Sequence, residues 1–240
     1  ALNELFASLK GREDAAALLK PLRSLGGEAS VALTQLDAEL GEPGTLQFRA
    51  SVLPRRLSID MPGFFPPLMF DGGEVLVTQK DLEFQSVKAT SLDAALTLTG
   101  RAEDYRNGAS ALRGKADGVV GERALLWAEE RAGIPRELHL VPPVAIEGVE
   151  ANWVRGGDMS ASGKLDFAGG PDVRFAAARA GERVDVRNLS VRDAASDATF
   201  SGSFSGTRAQ AGFKGKLVAA TAHRIFSHQR FEGVEIEGDL

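Results

Sequence analysis

The chain of 240 residues contains no cysteine, which excludes disulfides and thiolate-bound metals. It also has no run of about 20 apolar residues, the length that a membrane-spanning helix needs. Neither sign of charge dominates, because 28 Lys and Arg are mixed along the sequence with 33 Asp and Glu. A nucleic-acid partner requires a basic stripe, so we expect no nucleic acid to bind.

Histidine is equally scarce, since His139, His223 and His228 are the only three in the chain. The spacing of His223 and His228 fits neither one face of a helix nor alternate residues of a strand, so the pair is a poor metal site. The simplest interpretation is that they are exposed loop histidines. The sequence therefore predicts no metal site and no cofactor.

Patterns for enzymatic catalysis are missing as well. No Gly-x-Ser-x-Gly nucleophile motif occurs, and a cysteine nucleophile is excluded. Two carboxylate pairs are present, Glu129 with Glu130 and Asp193 with Asp197. The first falls on a polar helix face and the second in a turn, where solvated surface is the default interpretation. We therefore predict that the chain is not an enzyme.

Two segments have the period of an amphipathic helix. Residues 2–25 place leucines at spacings of three and four, and Gly26 and Gly27 follow. Residues 122–131 place Ala124, Leu125 and Ala128 on one face, between Gly121 and Gly133. The predicted sections are an N-terminal helical segment (1–29), a first β-meander (30–120), a short helix (121–135) and a second β-repeat section (136–240).

From Ser30 onward the period changes to two, which is typical of strands with one apolar and one polar face. Turn signals such as Asp71-Gly72-Gly73 and Asn107-Gly108 separate the runs, so the natural topology is an antiparallel meander of hairpins. Residues 61–70 are apolar but rich in proline, which predicts a loop packed on the sheet or a crossover rather than a central strand.

Several runs resemble one family. They are Leu96-Thr-Leu-Thr-Gly100-Arg-Ala-Glu-Asp-Tyr105, Asp117-Gly118-Val-Val-Gly121 before Trp127, Ile134-Pro135, Val141-Pro-Pro-Val-Ala-Ile146, and the strand-turn-strand units from Ser162 to Leu240. Together they resemble the AsmA-like family, in particular its YhdP-type branch of large periplasmic proteins tethered to the inner membrane. The resemblance implies an elongated, curved antiparallel sheet, a β-groove, whose apolar inner face takes acyl chains and has no catalytic residues.

What the resemblance implies for this chain is a lipid-binding segment of a larger bacterial envelope protein that carries phospholipid between inner and outer membranes. The expected partners are phospholipid acyl chains, neighbouring repeats of the same full-length chain, and a membrane reached through segments outside this sequence. The expected location is the periplasm. Ala1 in place of an initiator Met, and a strand-like end without a following turn, fit a piece of a longer protein.

The candidate groove lining is the set of large apolar residues expected on one side of the sheet. It consists of Phe48, Leu57, Ile59, Leu82, Phe84, Leu96, Leu98, Leu165, Phe167, Val184, Val186, Phe200 and Phe204. The filled core of an ordinary sandwich has the same pattern, and periodicity alone does not separate the two. An alternative function is a scaffold that assists outer-membrane biogenesis by β-strand addition. An enzyme and a glycan-binding sandwich are further, less favoured alternatives.

Overall fold

The structure, a computed structural model, describes residues 23–37, 47–60, 66–105, 109–132, 136, 139–206, 208–227 and 235–239. Most of the predicted N-terminal helix, residues 2–22, lies outside these ranges. Its end is described and is not helical, because the first strand already begins at Ser24 and includes Leu25. The predicted helix is therefore wrong in its last residues.

The described chain is mainly β, with fourteen strands and two short helices. The strands and helices, in chain order, are β1 (Ser24–Asp37), β2 (Gln47–Asp60), β3 (Leu68–Phe70), β4 (Glu74–Thr78), β5 (Leu82–Ser91), β6 (Ala94–Glu103), β7 (Ala111–Val120), α1 (Glu122–Ala132), β8 (Val144–Val154), β9 (Met159–Phe167), β10 (Asp172–Ala180), β11 (Arg183–Arg192), β12 (Asp197–Ser205), β13 (Arg208–Val218), α2 (Ala219–Ile225) and β14 (Glu235–Asp239).

The chain divides into two compact units, Ala1–Gly114 and Lys115–Leu240. In the first unit, hydrogen-bonded neighbours follow the order β1-β2-β3-β5-β6, and β4 pairs with β2 and β5. In the second unit, strands β8 to β14 pair in sequence order, each antiparallel to the next. Both helices belong to the second unit, which therefore joins the sections predicted separately as 121–135 and 136–240.

Tight turns make this meander possible. Gly169 lies in the β9–β10 turn with φ 64°, and Gly181 lies in the β10–β11 turn with φ 59°. Glycine adopts this left-handed conformation without the steric strain that a Cβ would add. The chain can thus reverse within a few residues, and each strand lies beside the one before it.

The proline-rich segment differs from its prediction. Residues 61–65 lie outside the described ranges, but Leu68–Phe70 form β3, which is hydrogen-bonded between β2 and β5. Phe70 is opposite Leu57 on one side and Ala89 on the other. Pro66 and Pro67 have no backbone N–H to donate. The three residues after them each have one, so Leu68–Phe70 can form hydrogen bonds with the strands on both sides. The expectation that this segment is no central strand is therefore wrong at its end.

The first helix forms where the sequence predicts it, from Glu122 to Ala132. Glu122 lies in its first turn and Arg131 in its last, which suits the helix dipole. The second helix was not predicted, because seven residues are too few to show a period. Its own residues Thr221, Ala222 and Ile225 are buried, so tertiary packing stabilises it.

The hydrophobic core of the second unit lies between these helices and one end of the sheet. Leu125 of α1 and Ile225 of α2 pack with buried side chains of four neighbouring strands, which are Val144, Phe167, Val173 and Val191. Leu140 and Phe226 pack against the edge of this cluster. The two helices thus cover part of one sheet face, as burial of an amphipathic sheet requires.

Candidate functional site

The sheet of the second unit has one apolar and one polar face. Residues directly opposite each other in antiparallel strands point to the same face. On one face, the register aligns Leu165, Val173, Val191 and Ala198 in a row across four strands. On the other, the row beside it is Lys164, Arg174, Ser190, Thr199 and Lys214. The alternation that the sequence predicts therefore places apolar and polar side chains on opposite faces of these strands.

Ion pairs cover part of the polar face. The Lys164 ammonium lies 2.9 Å from the Asp166 carboxylate and 3.2 Å from that of Glu147. Hydrogen bonds to Asp166 and then Glu147 raise the pKa of Lys164, and the bond from Lys164 lowers the pKa of Asp166. Both groups are held in their charged forms, so this face suits contact with water.

The predicted groove residues of the second unit all lie on the apolar face. The register places Phe167 beside Leu165 along β9, Val186 and Val184 along β11, and Phe200 and Phe204 along β12. They divide into two groups. Leu165, Phe167 and Phe200 belong to, or pack against, the helix-covered core. Val184, Val186 and Phe204 lie beyond it on the same face.

The predicted residues of the first unit also share one face. Leu57 lies in a row with Phe70, Ala89 and Leu96, and the rows beside it contain Phe84 and Leu98. Phe48, Ile59 and Leu82 follow at alternate positions on the same face. All seven side chains are partly buried. A β-bulge at Gln85 and Ser86 keeps Phe84 and Val87 on one face although they are three residues apart.

Next to the helix-covered core, the second unit's apolar face continues in three rows that cross the strands, and Leu189 and Phe200 of the first row still pack against that core. One row has large side chains: Phe175, Leu189, Phe200 and Phe213. The next has small ones, and we call it the small-residue row: Ala161, Ala177, Val186, Gly202 and Ala211. The outer row is larger again: Trp153, Met159, Arg179, Val184, Phe204 and Ala209. We call these three rows, which all cross β10 to β13, the furrow.

Exposure shows how open this furrow is. Met159 is 47% and Phe204 46% exposed, whereas Phe167 under the helices is 5% exposed. The ring of Phe204 leans over Gly202, where an added Cβ would lie 3.5 Å from it. Arg179, the charged member of the outer row, turns its guanidinium to the carbonyl of Gly181 at 2.9 Å. The furrow thus presents carbon surface to solvent at its outer rim.

The sequence alone missed several residues of this surface. Phe175, Leu189 and Phe213 form most of the large row, and Met159 contributes to the outer rim. A signal was available, because Val173, Phe175 and Ala177 alternate along β10 as the selected residues do along their strands.

One predicted solvated carboxylate is in fact buried. Glu129 is 3% exposed, its carboxylate contacts Nδ1 of His139, and it accepts a hydrogen bond of 2.9 Å from the backbone N–H of Leu140. Its neighbour Glu130 is exposed, as predicted. Glu129 lies four residues after buried Leu125 and so shares its face of α1. The interpretation of Glu129 as surface is therefore wrong, and the residue anchors α1 instead.

Asp193 also has a structural role that the sequence did not indicate. Its carboxylate accepts hydrogen bonds from the N–H groups of Ala195 and Ser196, both at 2.8 Å, and from the Thr221 hydroxyl at 2.7 Å. Burial alone would raise the pKa of Asp193, but these three hydrogen bonds outweigh it and lower the pKa. Asp197, by contrast, is exposed beside Arg192 at 3.0 Å.

A short polar chain continues from Asp193 into the second helix. The Ser196 hydroxyl donates to Oγ1 of Thr221 at 2.7 Å and accepts the N–H of Val218 at 3.0 Å. Val218 is the residue that precedes α2. Because all of these groups are satisfied by one another, they fix the start of α2 and offer no unpaired nucleophile.

His223 lies in α2 rather than in a loop, and His228 is outside the described ranges. The described residues contain no group of three or more metal-binding side chains. In the same part of the chain, no helix has the length and apolar character needed to cross a bilayer.

Comparison with known proteins gives no relative. The chain matches no protein-family model, no curated protein and no solved structure.

Proposed function

We propose that the uncovered apolar face of the second unit binds the acyl chains of phospholipid. The observation that carries this proposal is the contrast along one face: helices cover Val173 and Val191, whereas Met159 and Phe204 are nearly half exposed. An apolar sheet face must be covered by a second layer or by a ligand, since contiguous exposed apolar surface favours association. Acyl chains are a ligand that needs only burial.

The dimensions of the furrow support this ligand. Neighbouring strands are about 4.8 Å apart, so the small-residue row from β9 to β13 spans roughly 19 Å. One leaflet of a bilayer has a hydrocarbon depth of about 15 Å, which is the reach of an acyl chain. Burial of a methylene gains ~0.8 kcal/mol, so a dozen methylenes gain on the order of 10 kcal/mol before ordering costs.

In this proposal the chain is a segment of a bacterial envelope protein that carries phospholipid between the inner and outer membranes, and it works in the periplasm. The face would be the concave side of a curved, elongated sheet that continues beyond β14 into neighbouring repeats of a longer chain. Apart from Arg179, whose guanidinium is bonded to the Gly181 carbonyl, the three rows of this face are apolar, which suits such transport because a lipid held by dispersion and burial can slide along them.

A first experiment asks whether lipid is present and where. The purified chain is extracted with organic solvent and measured by native mass spectrometry, and phospholipid is expected in the wild type. Phe204→Glu places a carboxylate in the furrow, where its desolvation costs several kcal/mol, and should abolish most of the bound lipid. The matched control is Ser203→Glu, one residue away on the polar face, which should keep it. A wild type free of lipid, or equal loss in both variants, would contradict the proposal.

The lack of cysteine allows a second, direct experiment. A polarity-sensitive dye attached at Phe204→Cys should show a blue-shifted emission when vesicles of phosphatidylethanolamine and phosphatidylglycerol are added. The same dye at Ser203→Cys should not respond. A scaffold that acts by strand addition predicts no shift at either position, so the two functions are separated by one measurement.

A further inference from the structure

The first strand leaves one long edge of the first unit open. Among the described residues, β1 is hydrogen-bonded to β2 alone, over fourteen residues. The other edge of an edge strand presents N–H and C=O groups that can pair with a further strand. Natural sheets protect such edges with charges, prolines, bulges or covering elements. How far β1 is protected therefore decides whether this edge is an interaction surface.

The middle of β1 has little of this protection. Residues 29–36 contain neither a charge nor a proline, between Glu28 and Asp37. Val31 is 65%, Leu33 57% and Leu36 60% exposed. Val31 and Leu33 lie opposite Val52 and Ala50, so they extend the apolar face of the first unit to its edge. Exposed apolar side chains and open backbone groups thus coincide.

Bulges define the part of the edge that can pair. The register with β2 shifts between Gly26 and Glu28 and again between Leu33 and Gln35. The regular edge is therefore the six residues Glu28–Leu33, which lie between a bulge whose extra residue is in β2 and a bulge whose extra residue, Thr34, is in β1. A partner strand of about six residues fits this regular stretch, because a longer one would meet the irregular backbone on either side of it.

We propose that the partner is β1 of a second copy of this chain, paired antiparallel about Val31. In this register Val31 lies opposite Val31 of the copy, Ala29 opposite Leu33, and Ser30 opposite Ala32. Ala29, Val31 and Leu33 of both copies then meet on one face, and Glu28 lies across from Thr34, just beyond the regular stretch, rather than from a like charge. Antiparallel pairing about a two-fold axis is isologous and closes after two copies. This inference is independent of lipid binding, since it rests on the edge of the first unit.

The pairing also joins two apolar faces. Opposite residues of antiparallel strands share a face, so the faces that contain Val31 and Leu33 become continuous across the two-fold axis. A shift of the register by one residue would bring Val31 opposite a residue of the polar face. The apolar pattern therefore selects the register centred on Val31 over its neighbours.

Cross-linking tests the register, because the chain has no cysteine of its own. With Val31→Cys, the two introduced thiols lie opposite each other, at a Cα separation of about 4.5–5.5 Å that a disulfide bridges. We expect rapid formation of a covalent dimer under mild oxidation. Leu53→Cys is the matched control, since Leu53 is also exposed and apolar but lies on β2. Equal cross-linking of the two variants, or none, would overturn the proposal.

Sedimentation velocity tests the assembly without a cross-link. The wild type is expected to show a monomer–dimer equilibrium, and Val31→Lys should weaken it by about tenfold or more because two ammonium groups meet at the centre. Leu53→Lys should leave the dissociation constant unchanged. A wild type that is monomeric at all concentrations, or that grows into large assemblies without stopping at two copies, would contradict the two-fold pairing.

Discussion

The carboxylate of Glu129 accepts a hydrogen bond of 2.9 Å from the backbone N–H of Leu140, and this contact joins α1 to the segment that precedes β8. The same segment is tied to α2, because the N–H of Val141 donates to the Ile225 carbonyl at 2.8 Å and the N–H of Ser227 donates to the His139 carbonyl at 2.8 Å. We call α1, residues 139–141 and α2 the helix cap. Glu129 and these two backbone hydrogen bonds therefore join α1 to α2 over the core.

The first prediction concerns this anchor. Glu129→Ala removes the acceptor of the N–H of Leu140, a partly buried residue, and the contact of His139, and a hydrogen-bonding group left unsatisfied away from water costs about 1–3 kcal/mol. We expect the free energy of unfolding, measured in urea, to fall by that amount. Glu130→Ala, at the exposed neighbour, should change it by less than about 0.5 kcal/mol. Equal effects of the two substitutions would show that Glu129 is no anchor.

A second prediction uses the lowered pKa of Asp193. A carboxyl whose folded pKa is below its unfolded value stabilises the fold above the unfolded value of about 3.9, and this stabilisation is lost as the pH falls through the folded pKa. Asp193→Asn should therefore lower the free energy of unfolding at pH 7, by about 1–3 kcal/mol. The difference from the wild type should shrink as the pH falls below about 4.

The control for this prediction is Asp197→Asn. The Asp197 side chain is 71% exposed and pairs with Arg192 on the surface, where ion pairs contribute about 0–1 kcal/mol. Thermal unfolding between pH 3 and pH 7 should give only a small difference between Asp197→Asn and the wild type. A difference for Asp193→Asn that stays constant over the same range would show that its charge is not what holds α2.

A third prediction concerns two glycines that face each other in the first unit. A Cβ on Gly100 would lie 2.4 Å from the Arg113 carbonyl oxygen and 2.7 Å from Cα of Gly114. A Cβ on Gly114 would lie no closer than 3.3 Å to its nearest neighbour, the Thr99 carbonyl oxygen. Gly100→Ala must therefore displace backbone, and we expect a loss of about 1–3 kcal/mol of unfolding free energy. Gly114→Ala should cost clearly less, and the reverse order would contradict the close approach at Gly100.

The sequence predicts which residues lie on each face of the sheet, but it does not predict which part of the apolar face the helices cover. Alternation is a local property, so Val184 and Val186, or Leu96 and Leu98, are assigned to one face from their spacing alone. Coverage by the helices depends on contacts between residues far apart in sequence, such as Leu125 with Val191. Periodicity carries no information about such contacts. A filled core and an open furrow therefore have the same sequence periodicity, and the positions of the two helices distinguish them.

The misassigned residues have similar physical causes. Glu129 appeared to be on the surface because Glu130 and Arg131 follow it, and its partners His139 and Leu140 lie about ten residues further on. The strand at Leu68–Phe70 was missed because the prolines before it dominate the local composition. In each case a tertiary partner outweighs the local preference, which is the usual limit of arguments from one sequence.

The last prediction separates the covered from the uncovered part of the apolar face with one kind of substitution. Phe167→Ala empties a site that is 5% exposed within the core, and such a deletion costs about 3–5 kcal/mol. Phe204→Ala removes a ring that is 46% exposed, so the unfolding free energy of the lipid-free chain should fall by only about 1 kcal/mol or less.

A ligand that binds the folded state adds stability by mass action. Added phospholipid should therefore stabilise the wild type and Phe167→Ala alike, and Phe204→Ala clearly less. Lipid that instead raised the unfolding free energy of Phe167→Ala alone would place the binding surface beneath the helix cap and not along the outer rim. Only a ligand that fills the space left by the Phe167 ring could compensate for that loss of stability.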